Sequence, residues 1–138
     1  LNKISGPLLD RIDIHIEVTP VNFDELSDKR PAELSEIVRE RVMSARNIQT
    51  ERFKEFEGVY SNAQMTKKMI ATYCEIDTAG QALLKRAMER LGLSARAYDR
   101  ILKVSRTIAD LGASEKIKPE HLAEAIQFRS LDRESWAG

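Results

Sequence analysis

The chain has 138 residues, of which 32% are charged and 6% are aromatic, and its 22 basic residues balance its 22 acidic ones. This balance excludes a global field that would attract nucleic acid or an anionic membrane, so any polyanion must be recognised locally. The single cysteine excludes an internal disulfide and favours a cytoplasmic setting, and no apolar run reaches the roughly 20 residues that a transmembrane helix needs.

Residues 11–18 alternate strictly between polar and apolar side chains, and the apolar ones are Ile12, Ile14, Ile16 and Val18. This alternation predicts a half-buried β-strand. No comparable run follows, and a lone strand cannot satisfy its backbone groups. We therefore expect its partner strands in a missing N-terminal portion or in a neighbouring molecule. Because the chain begins at Leu1 instead of methionine, we also expect it to be a fragment of a longer protein.

The remainder of the chain predicts a small bundle of five helices joined by short connections. Residues 21–30 are typical of a polar linker, and residues 130–138 of a loosely held tail. Helical periodicity, with its capping residues, covers residues 31–53, 61–73, 77–92, 94–112 and 118–128. The predicted fold class is therefore mainly α, with one preceding strand.

The helix at residues 94–112 has the clearest pattern and two distinct faces. Its apolar sector contains Ala97, Ile101, Val104, Ile108 and Leu111. A separate sector contains Arg96, Arg100 and Lys103. Ser94 is a favoured N-cap and Gly112 can close the helix in the left-handed conformation. Arg96 thus lies in the first turn, where the helix dipole disfavours a cation unless an anion binds there. The alternatives are an exposed arginine or a salt bridge, for example to Asp99.

Residues that would support catalysis or metal binding by this chain alone are missing. His15, His121 and Cys74 are scattered, so we expect neither a metal site nor a nucleophile with its base. The phosphate-binding pattern G-x-x-x-x-G-K-[ST] does not occur. The acidic pair Asp24-Glu25 follows Pro20 in a polar connector instead of ending a buried strand, so we do not interpret it as a magnesium site. The 138 residues by themselves are expected to hydrolyse nothing.

The segment before the predicted strand carries a second arginine of interest, Arg11. Gly6-Pro7 predicts a turn, Leu8-Leu9 an apolar anchor, and Arg11 the first residue of the strand, with its guanidinium at a fixed edge. The alternative is an ion pair with Asp10 or Asp13.

These residues resemble a known family. Residues 8–13 are similar to a segment shared by the ATPase subunits of magnesium chelatase and by minichromosome-maintenance helicases, both of which are AAA+ proteins. Residues 4–15, 91–104 and 106–111 together resemble the bacterial magnesium-chelatase-like proteins of the ComM/YifB type, and the similarity runs from about Leu1 to Arg129. One departure is Ser105, where the family pattern favours a small residue such as alanine.

The resemblance implies a ring-forming AAA+ ATPase that binds ATP and Mg²⁺ mainly through residues missing from this chain. Residues 1–20 would end the nucleotide-binding core, 21–30 would be the linker, 31–129 the helical lid and 130–138 the tail. Arg11 would be the arginine finger acting in trans, Arg96 the sensor-2 residue, and Arg100 a weaker nucleotide contact. The full-length protein would form a ring, expected to be a hexamer, that moves on DNA in branch migration during natural competence.

Two alternatives of other classes stay open. One is a helical nucleic-acid-binding module that uses Arg96, Arg100, Lys103 and Arg106. Zero net charge and few aromatic residues for stacking argue against it. The other is an oligomerisation domain, in which the strand and the apolar helix faces only join subunits.

Overall fold

The structure, a computed structural model, describes residues 4–129. These residues form seven α-helices and one 3₁₀ turn at Asn62–Gln64. The helices are α1 (Gly6–Arg11), α2 (Phe23–Ser27), α3 (Ser35–Arg52), α4 (Lys67–Tyr73), α5 (Thr78–Leu91), α6 (Ala95–Leu111) and α7 (Pro119–Gln127). The predicted mainly α fold class is confirmed, and the five predicted helices correspond to α3–α7. The predicted tail at residues 130–138 lies outside the described residues.

Local sequence signals set the ends of the best-defined helices. Asp77 caps α5 by accepting a hydrogen bond from the Gly80 amide at 2.7 Å, and Gly92 ends this helix in the left-handed conformation with φ of 61°. Ser94 then caps α6, where its hydroxyl accepts a hydrogen bond from the Ala97 amide at 3.2 Å. These ends agree with the predicted ones because capping depends on residues that are neighbours in the sequence.

Several boundaries differ from the predicted ones. The helix expected from Pro31 begins at Ser35. The helix expected from Ser61 is divided into the 3₁₀ turn and α4, and Thr66 caps α4. Gly112 does not adopt the left-handed conformation, since its φ is −88°, and the adjacent Ala113 has φ of 51° instead.

Helix α6 lies at the centre of the bundle and packs against α1, α3, α4 and α7. Its most buried side is a row of small and medium side chains at i, i+4 spacing, namely Ala97, Ile101, Ser105 and Ala109. The predicted apolar sector is correct for Ala97 and Ile101, whereas Leu111 is 47% exposed. Ser105 is fully buried, and its hydroxyl donates to the Ile101 carbonyl at 2.7 Å. This bond explains how the helix accepts a serine at a position where a small apolar residue was the expectation.

The strand predicted at residues 11–18 is not formed in the structure. Helix α1, capped by Ser5, occupies Gly6–Arg11, where a turn and a strand start were the prediction. The following residues, 12–22, form no β-ladder, because the described part of the chain offers no partner strand. The expected orientation also fails: His15 is 7% exposed, while Ile16 and Val18 are 68% and 87% exposed. Among residues 11–18, His15 is the one that is buried, whereas Arg11 and Glu17 on the same side of the pattern are exposed.

The linker predicted at residues 21–30 contains the short helix α2. Asn22 and Glu25 cap its start reciprocally through a side chain and a backbone amide each. None of the residues of α2 is buried. Asp24 and Glu25 thus lie on a solvated helix.

Candidate functional site

Arg11 is the last residue of α1, and its side chain is exposed. Within residues 4–129 it has no ion pair, so neither Asp10 nor Asp13 neutralises it. The backbone beneath Arg11 is nevertheless well anchored, because Leu9 is 3% exposed and packs in the region where α1 meets α6. The Arg11 guanidinium is therefore exposed, while the backbone that carries it is fixed by packing.

The C-terminal end of the bundle holds this backbone by three hydrogen bonds. Arg129 is fully buried, and its guanidinium donates to the carbonyl oxygen of Leu9 at 3.2 Å and to that of Ile12. The His15 amide donates to the carbonyl oxygen of Phe128 at 2.8 Å. These bonds attach the chain on both sides of Arg11 to the residues that follow α7. We call residues 5–15, with α1 inside them, the docked segment.

An ion pair joins the docked segment to α6. The Arg100 guanidinium donates to the Asp13 carboxylate at 2.8 Å, and the two side chains are 31% and 46% exposed. Arg100 therefore has a protein partner and is less available to a ligand than its place on the basic face of α6 indicated. The pairing of Asp13 with Arg100 was not apparent from the sequence, because these residues are 87 positions apart.

Arg96 is exposed and lies in the first turn of α6. Within the described residues it forms no salt bridge, either with the alternative partner Asp99 or with another carboxylate. Arg96 and Arg100 are one helical turn apart, which is about 6 Å along the axis. Because Arg100 contacts Asp13, Arg96 lies one turn from the point where the docked segment meets α6. The structure thus brings the two predicted site arginines, Arg11 and Arg96, onto elements that pack together.

The other cations of α6 are engaged by the protein. Lys103 donates to the carbonyl oxygen of Ala63 at 3.0 Å. Arg106 is 4% exposed and donates to the carbonyl oxygens of Ser114 and Glu115 at 2.7 and 2.9 Å. Among the four basic residues of α6 named in the nucleic-acid alternative, only Arg96 has no partner in the part of the chain that the structure describes.

The described residues 4–129 contain neither a candidate metal site nor a reactive cysteine. They contain no group of three or more His, Cys, Asp and Glu side chains that could hold a metal ion. Burial raises the pKa of the Cys74 thiol to about 11, so this cysteine is protonated and unreactive at neutral pH. No helix in this range has the length and apolar composition to cross a bilayer. The exposed guanidinium groups of Arg11 and Arg96 match phosphate oxygens in geometry and charge.

One buried polar cluster escaped the sequence analysis. The Asp110 carboxylate accepts hydrogen bonds from Arg52, Arg106 and Asn62. The i, i+4 spacing of Arg106 and Asp110 on a predicted helix is a signal that could have revealed half of it. Arg52 and Asn62 come from distant positions and carried no such signal. This cluster lies towards the C-terminal end of α6, whereas Arg96 lies in the first turn of that helix.

Comparison with known proteins adds an independent observation. The model of the family described as magnesium chelatase, subunit ChlI C-terminal, matches residues 32–129. The chain is 43% identical over 134 residues to competence protein ComM of Haemophilus influenzae, which covers 96% of this chain and 25% of that protein.

Two further relatives are also similar to nearly the whole of this chain. The uncharacterised protein YifB of Escherichia coli is 38% identical over 135 residues, covering 96% of this chain and 26% of its own length. An uncharacterised protein of Mycobacterium tuberculosis is 31% identical over 129 residues, covering 94% of this chain and 25% of its own length. The chain therefore spans about a quarter of the length of these relatives.

Proposed function

Because the chain belongs to the family of magnesium chelatase subunit ChlI C-terminal domains, we propose that it acts within a ring-forming, magnesium-chelatase-like AAA+ ATPase. Residues 31–129 are its helical lid, residues 1–20 end its nucleotide-binding core, and residues 21–30 link the two. The family match and the shared sequence with ComM and YifB support this proposal.

In this proposal, Arg11 is the arginine finger and acts in trans on ATP bound by the adjacent subunit. Arg96 is the sensor-2 residue and contacts phosphate from the N-terminal end of α6. One observation carries both roles. The two guanidinium groups are exposed and lack ion pairs in the described residues, and the helices that hold them, α1 and α6, pack against each other. Arg100 has the weaker claim as a nucleotide contact, because it already pairs with Asp13.

Phosphoryl transfer is a reaction that arginine residues can accelerate. During phosphoryl transfer, negative charge spreads over the equatorial oxygens of the γ-phosphate, and an arginine that reaches them can raise the rate by about 10³ to 10⁵. An exposed arginine with no competing carboxylate loses no existing ion pair when it binds these oxygens. Arg11 and Arg96 therefore fit the phosphate groups of ATP. We place Mg²⁺ and most of the ATP contacts in the part of the protein outside this chain, since the chain has no phosphate-binding loop.

At the level of the whole protein, we place the chain in a cytoplasmic hexamer that moves on DNA in branch migration during natural competence. The similarity to the competence protein of Haemophilus influenzae supports the link to competence. Recognition of DNA by this chain alone is less favoured than an ATPase role. Lys103 and Arg106 are held by backbone carbonyl groups, which removes two of the four cations that a DNA-binding face on α6 would use.

The proposed roles are tested in the full-length protein by ATP turnover and by assembly. Arg11→Ala and Arg96→Ala are expected to lower kcat at least ten-fold each, while the assembled ring keeps its size. Arg90→Ala, a change at an exposed arginine in the last turn of α5, serves as the matched control and should leave kcat unchanged. Normal turnover in both site variants would overturn the assignment. Loss of the ring with normal turnover per remaining ring would favour the oligomerisation alternative.

Calorimetry on the 138-residue chain tests the location of the main phosphate site. Only feeble binding of ATP is expected, since the chain lacks a phosphate-binding loop. Micromolar affinity would contradict the proposal that this loop lies elsewhere in the protein. DNA binding by the same chain with a steep salt dependence would instead favour the nucleic-acid alternative.

A further inference from the structure

Arg129 is fully buried, and its guanidinium bonds the backbone of the docked segment. It donates to the carbonyl oxygens of Leu9 and Ile12, the former in the last turn of α1 and the latter at its C-cap. These carbonyl groups lie two residues before and one residue after Arg11. The buried Arg129 guanidinium thus bonds the backbone on both sides of Arg11, the proposed arginine finger.

This contact satisfies hydrogen-bonding groups of both the helix and the arginine. The last carbonyl groups of a helix have no partners within the helix, and a cation near them is favoured by the helix dipole. A buried guanidinium in turn needs hydrogen-bond acceptors, because an unsatisfied buried charge is costly. At six residues, α1 is too short to be stable alone. The position of α1 therefore depends on its contacts with the bundle, among them the bonds from Arg129 and the burial of Leu9.

Two further contacts set the orientation of the docked segment. The His15 amide donates to the carbonyl oxygen of Phe128, one residue before Arg129. Asp13 pairs with Arg100 on α6. The first contact is on the α7 side of the bundle and the second is on α6, so the docked segment is attached to two helices that pack against each other. Rotation of the segment about a single attachment point is thereby prevented.

We propose that Arg129 is a positioning residue for Arg11, and that it makes the docked segment and the helical bundle one mechanical body. This inference rests on the proposed role of Arg11. Its consequence is that any displacement of the bundle relative to a neighbouring subunit carries Arg11 with it, together with Arg96 on α6. Arg11 and Arg96 then move together, as parts of this one body.

Amide hydrogen exchange in the 138-residue chain tests the attachment without any nucleotide. Arg129→Met is expected to speed exchange of the Ile12 and His15 amides at least ten-fold, because the Arg129 guanidinium no longer holds the docked segment that carries both amides. Amides in the middle of α6 should keep their rates. The matched control is Arg30→Met, which removes an arginine whose side chain is 88% exposed and should change neither set. Unchanged exchange at Ile12 and His15 in Arg129→Met would overturn the proposal.

A second variant covers the possibility that Arg129→Met does not fold. Arg129→Lys keeps the buried charge but loses the fork that reaches two carbonyl oxygens. Exchange of the same two amides should rise at least three-fold in this variant, with α6 unaffected. If the rates of the segment and of α6 rise equally, Arg129 is only a general support of the fold and the proposal is wrong.

Turnover by the full-length ring separates positioning from stability. Arg129→Lys is expected to lower kcat at least five-fold with little change in KM when Arg11 is present, but less than two-fold in an Arg11→Ala background. An equal loss in both backgrounds would overturn the positioning role. If Arg11→Ala alone leaves kcat unchanged, the proposed function fails, whereas the exchange experiment still decides whether Arg129 holds the segment.

Discussion

Arg52 donates two hydrogen bonds to the Asp110 carboxylate, at 2.8 and 2.7 Å, although the two residues are 58 positions apart. Arg106, one turn before Asp110 on α6, donates to the same carboxylate at 3.2 Å, and Asn62 donates at 2.9 Å. The Asp110 side chain is completely shielded from water. One carboxylate therefore joins the end of α3, the 3₁₀ turn and the central helix α6.

Removal of the Asp110 charge should destabilise the chain strongly. Asp110→Asn leaves two buried guanidinium groups without a counter-charge, and we expect a loss of about 3–5 kcal/mol in the free energy of unfolding. Urea denaturation followed by circular dichroism measures this loss. The matched control is Glu33→Gln, which breaks an exposed pair with Arg41 and should have little effect. A loss below about 1 kcal/mol in Asp110→Asn would show that the cluster is not a structural centre.

Arg96 should be required for ATP turnover but not for the stability of the chain. Its cation lies in the first turn of α6, where the helix dipole is unfavourable to it. We therefore expect Arg96→Ala to leave the free energy of unfolding of the 138-residue chain unchanged or to raise it by about 0.3–1 kcal/mol. The same change should reduce ATP turnover in the full-length protein. Clear destabilisation of the chain, measured by urea denaturation, would indicate that Arg96 has a structural partner.

Gly80 should resist replacement although it lies inside α5. Alanine is normally favoured over glycine within a helix by up to about 1 kcal/mol. Here a Cβ atom would lie 2.9 Å from Cδ1 of Leu122, whose side chain is fully buried and cannot retreat into solvent. We expect Gly80→Ala to cost about 1–3 kcal/mol by overpacking. Gly112→Ala is the control, since its nearest neighbours would be 3.7 Å away. Thermal unfolding that ranks Gly80→Ala at or above the unsubstituted chain would contradict this packing argument.

Cys74 should make the chain less stable at alkaline pH. Burial raises the pKa of its thiol from an ordinary value of 9.0 to about 11. The unfolded chain therefore releases this proton at a lower pH than the folded chain, and stability declines as pH rises from about 9 towards 11. Below pH 9 the contribution is fully present. We expect the free energy of unfolding to fall more steeply over this range in the unsubstituted chain than in Cys74→Ala. Parallel pH profiles for the two proteins would contradict this expectation.

The sequence was most informative where structure depends on neighbouring residues. The helix caps at Asp77 and Ser94 and the helix end at Gly92 were correct, because each is a bond or a backbone conformation within a few positions. The periodicity of α6 correctly indicated its central place, although the burial of Arg106 and Asp110 was not apparent. Apolar periodicity records which side of a helix avoids water, and it does not reveal a charge buried with its partners.

The sequence was least informative about residues 11–18. Alternation of polar and apolar residues predicts a strand only if a partner strand is available to complete its hydrogen bonds. In the described residues no such partner exists, and the chain instead ends α1 at Arg11 and turns His15 towards the bundle. Whether a segment with this pattern becomes a strand depends on its surroundings and not on the pattern.

By itself, the sequence determined the five helices of the bundle, the resemblance to the magnesium-chelatase-like family and the two arginines of interest, because all three are recorded in residue types at short spacings. Only the tertiary structure decided how those arginines are presented. It paired Arg100 with Asp13 across 87 positions and placed Arg129 on the carbonyl group of Leu9 across 120 positions. Contacts between such distant residues form only when the bundle packs, since packing supplies the burial that makes each hydrogen bond worth forming.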